Sequence, residues 1–441
     1  MMNLTTRLRN ILPAILEKVP VSHQLIETLS SLVGINIFLA GLSFVTTIMV
    51  ANTLGREQFG DLAFAIALGT YGLMFIQYGL EKSLVRELVH FPKRFGELLK
   101  ATILLRSTLF VLFIIFLVIA FGFFNHNLGL SWGMVPVILA MVIPGFQLQG
   151  VYDAWQEMRR HAVFLMIDRC TYFTLVWAAV LLPFLTLSIG LVGAFMMAGV
   201  FAGLFLQYYW AFPRIDFQPV QGSYSATAFI VRSNFWIWLA VLSGLSIDYM
   251  SQIILKWYAG SAELGMYNVA WKTTQFALLF LAQAGRIGAE ATARHTRPEA
   301  TAHERIRFLL KYSVLMTAIG FMAGLPFLIA PQYILKLFRP EYANAAETMR
   351  LFGIYPIIFG PYLAVLQYII SSRMQIVYFT LITTVGVLSI TLSYLLIPRM
   401  QGIGAVISVI CSLGIALILF VAAVVIHLKG LLKSSEENLR R

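Results

Sequence analysis

The chain has 441 residues, of which 59% are hydrophobic and only 12% charged, and its mean hydropathy is +0.81. Such a composition excludes a soluble domain, which must keep a wetted surface, and points to an all-α polytopic membrane protein. The net charge of +12 follows the topology described next, so no nucleic-acid partner is expected.

Residues 1–28 read as a cytoplasmic N-terminal segment. Leu4, Leu8, Ile11, Leu12, Ile15 and Leu16 recur at helical spacing opposite Arg7, Arg9 and Asn10. An in-plane interfacial helix fits this pattern, and a frayed tail fits it nearly as well. The pattern of a removable signal is missing, so the first span is expected to direct insertion. Twelve apolar runs follow, at 29–50, 62–80, 101–121, 133–149, 169–186, 190–210, 227–254, 263–285, 310–330, 351–370, 376–397 and 402–427. Each is long enough to cross a bilayer as a helix. The fifth and sixth are separated only by Leu187, Ser188 and Ile189. Between Arg286 and Leu309 an exposed helical or turn-rich loop is expected, broken at Pro298.

With the N-terminus inside, 24 of the Lys and Arg residues fall in cytoplasmic segments and 6 in external loops. The bias toward positive cytoplasmic loops therefore places both termini in the cytoplasm. Cys170 and Cys411 lie in apolar runs and read as small buried or lipid-facing residues, with no disulfide or metal role.

An internal repeat is visible. ANTLGREQFGDLAFA (51–65) laid over KWYAGSAELGMYNVA (256–270) brings Gly55 onto Gly260, Gly60 onto Gly265 and Ala65 onto Ala270. IGLVGA before the sixth span is echoed by MQGIGA before the twelfth. The expected architecture is twelve transmembrane helices in two parallel six-helix bundles around a central cavity, related by a pseudo-twofold axis along the membrane normal. The bundles would span 29–210 and 227–427, joined by a cytoplasmic linker at 211–226 and followed by a basic tail at 428–441. The alternative is that these glycines merely permit tight external turns.

Most charges lie in loops or within snorkelling reach of a helix end, among them Arg106, Arg232 and Arg286. Asp248 and Lys272 do not. Each lies 12 positions from Gly260, about 18 Å from the hairpin apex at 1.5 Å per residue and near the midplane of a core about 30 Å thick. Two readings stay open: a neutralised structural ion pair between adjacent helices, or two groups facing a hydrated cavity, with Lys272 meeting an anion and Asp248 taking up a proton. Asn268, Lys272 and Gln275 share a helix face. No metal-ligand cluster, phosphate-cradling loop or close pair of aspartates is present, so neither a cofactor nor enzymatic activity is expected.

SFVTTIMVANTLGREQFGDLAFA (43–65), QYGLEKSLVREL (77–88) and IDYMSQIILKWYAGSAELGMYNVAWK (247–272) resemble the O-antigen-type polysaccharide flippases of the multidrug, oligosaccharidyl-lipid and polysaccharide exporter superfamily. The resemblance implies a flippase in the bacterial cytoplasmic (inner) membrane. It would carry a polyprenyl-pyrophosphate-linked glycan from the cytoplasmic to the outer leaflet by alternating access, for lipopolysaccharide or related surface polymers. Membrane lipids, a polysaccharide polymerase and chain-length proteins are the partners implied. On this reading Lys272 is the central contact, Arg232, Arg286 and Arg106 draw the substrate in, and Asp248 couples protons. A lipid II flippase would be expected to carry two further helices. The rivals are a cation-coupled multidrug exporter of the same superfamily, whose usual acid in the first bundle is missing here, and a membrane glycosyltransferase or polymerase.

Overall fold

The computed structural model describes residues 23–90, 95–182, 185–215, 223–297, 301–372 and 374–440. The interfacial-helix reading of 1–22, residues 216–222 of the linker and the Pro298 break lie outside them. All regular elements among the described residues are helical. They run α1 (His23–Gln77), α2 (Leu80–His90), α3 (Phe95–Leu128), α4 (Val135–Val142), α5 (Gln149–Ala154), α6 (Met158–Leu181), α7 (Ile189–Ala211) and α8 (Ser223–Leu245). The chain continues through α9 (Ser251–His295), α10 (Ala302–Ile329), α11 (Pro331–Leu335), α12 (Ala346–Phe352), α13 (Ile354–Ser371) and α14 (Gln375–Arg440).

Among the described residues, nine helical stretches are long and apolar enough to cross a membrane, and the chain is a multi-pass membrane protein. Its outward faces carry large apolar side chains such as Phe116 and Val118 on α3 and Val314 and Met322 on α10, all exposed. Lipid is the natural solvent for such faces, and small residues do the interior packing. A methyl group placed on Gly320 or Gly324 would run into the backbone of Pro356 or Gly353, and one on Gly360 into that of Met316. These glycines let α10 and α13 touch along their length.

Three of the nine stretches are 44, 60 and 57 residues long, far beyond the roughly 20 residues that one crossing needs. Each is broken once. In α1 the break is Gly55 (φ 74°, ψ 171°), in α9 Gly260 (φ 84°, ψ 178°) and in α14 Gln401 (φ 50°, ψ −127°). Gly55 and Gly260, superposed by the repeat, thus share one backbone conformation, in a region open essentially to glycine alone.

Several boundaries differ from expectation for local reasons. α6 stops at Leu181 and Leu182 turns extended, as residues before proline do; Pro183 follows. The Ser188 hydroxyl then caps α7 by accepting from Leu191 N at 3.3 Å. The connection is therefore longer than the three residues expected. α9 runs on to His295, and α10 begins at Ala302 behind a capping box of Thr301 and Glu304, earlier than its apolar run alone indicates. The stretch expected as a separate tail continues α14 as helix to Arg440.

The two halves meet along α1 and α9 near their breaks. A methyl on Gly60 would collide with the carbonyl of Ser261, and one on Gly265 with the carbonyl of Arg56. The spacing that carries Gly60 to Gly265 also carries Arg56 to Ser261. The contact is therefore reciprocal: each glycine meets the carbonyl of the residue four positions before its counterpart. Beside it the Asn52 amide donates to Leu337 O at 3.0 Å and accepts from Arg339 N at 2.8 Å, and the Tyr342 hydroxyl donates to Ala51 O at 3.1 Å.

Candidate functional site

Deeper between the halves lies a cavity of about 390 Å³. α1 contributes residues on both sides of its break, from Ser43 and Thr47 to Leu62 and Ala63. α6 adds Arg169 and Tyr172, and α9 adds Asn268, Lys272, Gln275 and Phe276. Phe44 stacks on Phe276 with ring centroids 4.8 Å apart, joining the two halves across one wall.

The shared face of Asn268, Lys272 and Gln275 thus reaches the cavity, as helical spacing of four and three requires. Asn268 is buried and donates to Gln252 Oε1 at 2.8 Å. Lys272 is half-buried and has no hydrogen bond or ion pair among the described residues. The other cation, Arg169, is missed by sequence reasoning because it sits at the start of the fifth apolar run and counts there as a topological charge. Its signal is the i, i+3 spacing to Tyr172, which places both on one face of α6. The π-helical neighbour Tyr249 was missed as well. Among the described residues, no Asp or Glu lines the cavity.

Asp248 takes no part in this lining and forms no ion pair with Lys272. Equal depth does not bring the two together, because Ser246–Met250 is a π-helical turn and the extra residue in that turn shifts the side chains around the helix axis. The Asp248 carboxylate instead accepts from the Tyr355 hydroxyl at 3.1 Å, within the second half. Trp271 packs edge-on against that same Tyr355 ring at 5.3 Å, so the aromatic wall behind Lys272 also supports the carboxylate's donor.

The remaining three arginines stand apart from the cavity lining. Arg106 is buried and donates to Gln147 O at 3.0 Å, fixing α3 to the backbone between α4 and α5. Arg232 and Arg286 are exposed on α8 and α9.

The fold is that of solved transporters. An inward-facing multidrug resistance MATE family transporter of the MOP superfamily aligns over 90% of this chain and 96% of its own, with a TM-score of 0.70 at 15% identity. A MOP superfamily transporter from Pyrococcus furiosus, described as having a binding pocket of reversed polarity, aligns over 91% and 95% with a TM-score of 0.57 at 14% identity. The lipid II flippase MurJ in an inward closed conformation covers 88% and 86%, with a TM-score of 0.54 at 11% identity. No curated protein matches the chain. The family model described as "Polysaccharide biosynthesis protein" matches residues 25–287, more than half of the sequence, and the chain belongs to that family.

Proposed function

We propose that the chain is a flippase that moves a polyprenyl-pyrophosphate-linked oligosaccharide from the cytoplasmic to the outer leaflet of a bacterial inner membrane, for assembly of surface polysaccharide of the O-antigen type. The observation that carries the reading is the cavity between the halves, which holds Lys272 and Arg169 and, among the described residues, no carboxylate. A pyrophosphate brings two or more negative charges that need cationic partners once water is stripped away, whereas a polyprenyl tail is at home in lipid. Membership of a polysaccharide biosynthesis family supports a glycan as the cargo.

The breaks at Gly55, Gly260 and Gln401 support twelve crossings, because they divide the three overlong stretches. Two parallel six-helix bundles, at 29–210 and 227–427, with both termini cytoplasmic, are the arrangement consistent with the repeat and with the Lys and Arg distribution. Transport is by rocking of the bundles. Asn268 and Gln275 bond the head group beside Lys272, while exposed Arg232 and Arg286 supply a positive approach from the cytoplasm, to which Arg106, buried against Gln147 O, adds only its field. Asp248 is the proton-coupling group, and a polymerase and chain-length proteins act downstream.

A multidrug exporter is the second reading, favoured by the TM-score of 0.70 to a MATE family transporter. The cavity speaks against it, since an organic cation would face Lys272 and Arg169 with no acid to balance them. The test is leaflet exchange of a polyprenyl-pyrophosphate oligosaccharide in liposomes holding the purified protein. Exchange is expected with the protein and absent without it. Transport of organic cations with no exchange of the lipid would establish the exporter instead.

A further inference from the structure

At the Gly55/Gly260 end of the molecule a lysine of one half is held by the other half. Lys256 Nζ lies 2.6 Å from Asp61 Oδ1, donates to Gly129 O at 3.1 Å and sits 4.4 Å from the centre of the Phe64 ring. Its side chain is only 7% exposed, against 27% for Asp61. All three partners belong to the first half, while Lys256 follows the π-helical turn in the second. The Ser261 hydroxyl adds a bond to the same Asp61 oxygen at 2.5 Å, and Ser261 is the residue whose carbonyl abuts Gly60. Glu341 crosses between the halves as well, accepting from Arg56 N at 3.1 Å.

This end cannot part without stripping a buried ammonium of Asp61, Gly129 O and the Phe64 ring. Removing one partner of a buried pair leaves the other charge uncompensated in low dielectric, a far larger penalty than loss of an exposed pair. Nor can the bare backbones of the Gly60/Gly265 crossing approach so closely if either residue gains a side chain. We propose that Asp61, Lys256 and the reciprocal Gly60/Gly265 contact form the latch of the external gate, whose closure holds the cavity open toward the cytoplasm. Opening would let water replace Asp61 and Gly129 around Lys256, so the latch sets the balance between the two facing states. This rests on the alternating-access reading above.

The test uses the full chain with Cys170→Ala, Cys411→Ala and a single Ser43→Cys in the cavity wall, labelled by a membrane-impermeant maleimide from either side of the membrane. Asp61→Asn, Lys256→Met and Gly265→Ala are each expected to raise the labelling rate from outside by about tenfold or more and to lower it from inside. Rates from outside that stay unchanged in all three variants overturn the latch, as do rates raised equally from both sides, the mark of general loosening. In the protein without latch substitutions, addition of polyprenyl-pyrophosphate oligosaccharide should change the ratio of outside to inside labelling. A ratio that never moves sinks alternating access together with the latch. A ratio that moves, with latch variants that do not shift it, sinks the latch alone.

Discussion

Lys272 and Arg169 face the same cavity without an acid between them, so a change at either should be felt by an anionic cargo first. Lys272→Ala is expected to abolish leaflet exchange, while Lys272→Arg, which keeps the charge, retains part of it. Equal loss of folded protein in both variants would make the lysine a structural element. Asp248 is expected to behave differently because its carboxylate is held by Tyr355 rather than by a cation. Asp248→Asn can keep that hydrogen bond but cannot exchange a proton, so exchange should persist and lose its dependence on an imposed pH gradient. Unaltered gradient dependence in the folded variant would remove Asp248 from coupling. The cavity face of Asn268, Lys272 and Gln275 was legible because α9 is regular there and spacing alone sets the face. The relation of Asp248 to Lys272 was not, because counting residues along a helix assumes 3.6 per turn and the turn at Ser246–Met250 departs from it. Arg169 was hidden for another reason: at the edge of an apolar run, a cation that snorkels outward and one that points inward look alike in sequence.

Among the helices, the hairpin breaks were the best-marked features. Gly55 and Gly260 stand at equivalent places in the repeat and adopt the same positive-φ conformation. Gly260→Ala is therefore expected to cost about 1–3 kcal/mol, the usual penalty for a side chain held in such a region, and to lower the melting temperature in detergent. Gly414 is the contrast, a helical glycine whose added methyl would meet nothing within 4 Å. Gly414→Ala should leave stability unchanged or raise it by up to about 1 kcal/mol. Thermal unfolding of the two variants side by side checks both. The third break could not be read in the same way, because Gln401 has no special φ preference and its position depends on tertiary support. The Glu263 carboxylate accepts from Gly402 N at 3.2 Å, and Pro398 lies just before it.

For the whole molecule, the helical multi-pass character was visible in composition and apolar runs, and the matching breaks at Gly55 and Gly260 in the short glycine echo. The ionic contact between the halves was not, because Asp61 and Lys256 are far apart in the chain and are not related by the repeat. The plan carries a thermodynamic expectation. A ligand that bridges Lys272 and Arg169 and binds only the folded state should stabilise it by about 2.7 kcal/mol at a hundredfold excess over its Kd. A polyprenyl pyrophosphate should therefore raise the melting temperature of the unaltered protein. It should do so far less in a Lys272→Ala, Arg169→Ala double variant, and an organic cation should not do so at all. Stabilisation by the cation alone would reverse the assignment of cargo.

The acid-free cavity has a further consequence once the membrane is energised. In the proposed cycle, a bound pyrophosphate would largely cancel the charges of Lys272 and Arg169, so the loaded step would move little net charge, and the empty carrier would return with both cations uncovered. A cavity that opens inward sits at the negative interior potential and one that opens outward at the external potential, a difference of up to about 2.3 kcal/mol per charge for each 100 mV. The membrane voltage should thus reset the unloaded protein to its inward-facing form. Collapsing that voltage should shift the unloaded population outward and slow the return stroke, leaving the loaded stroke nearly unchanged.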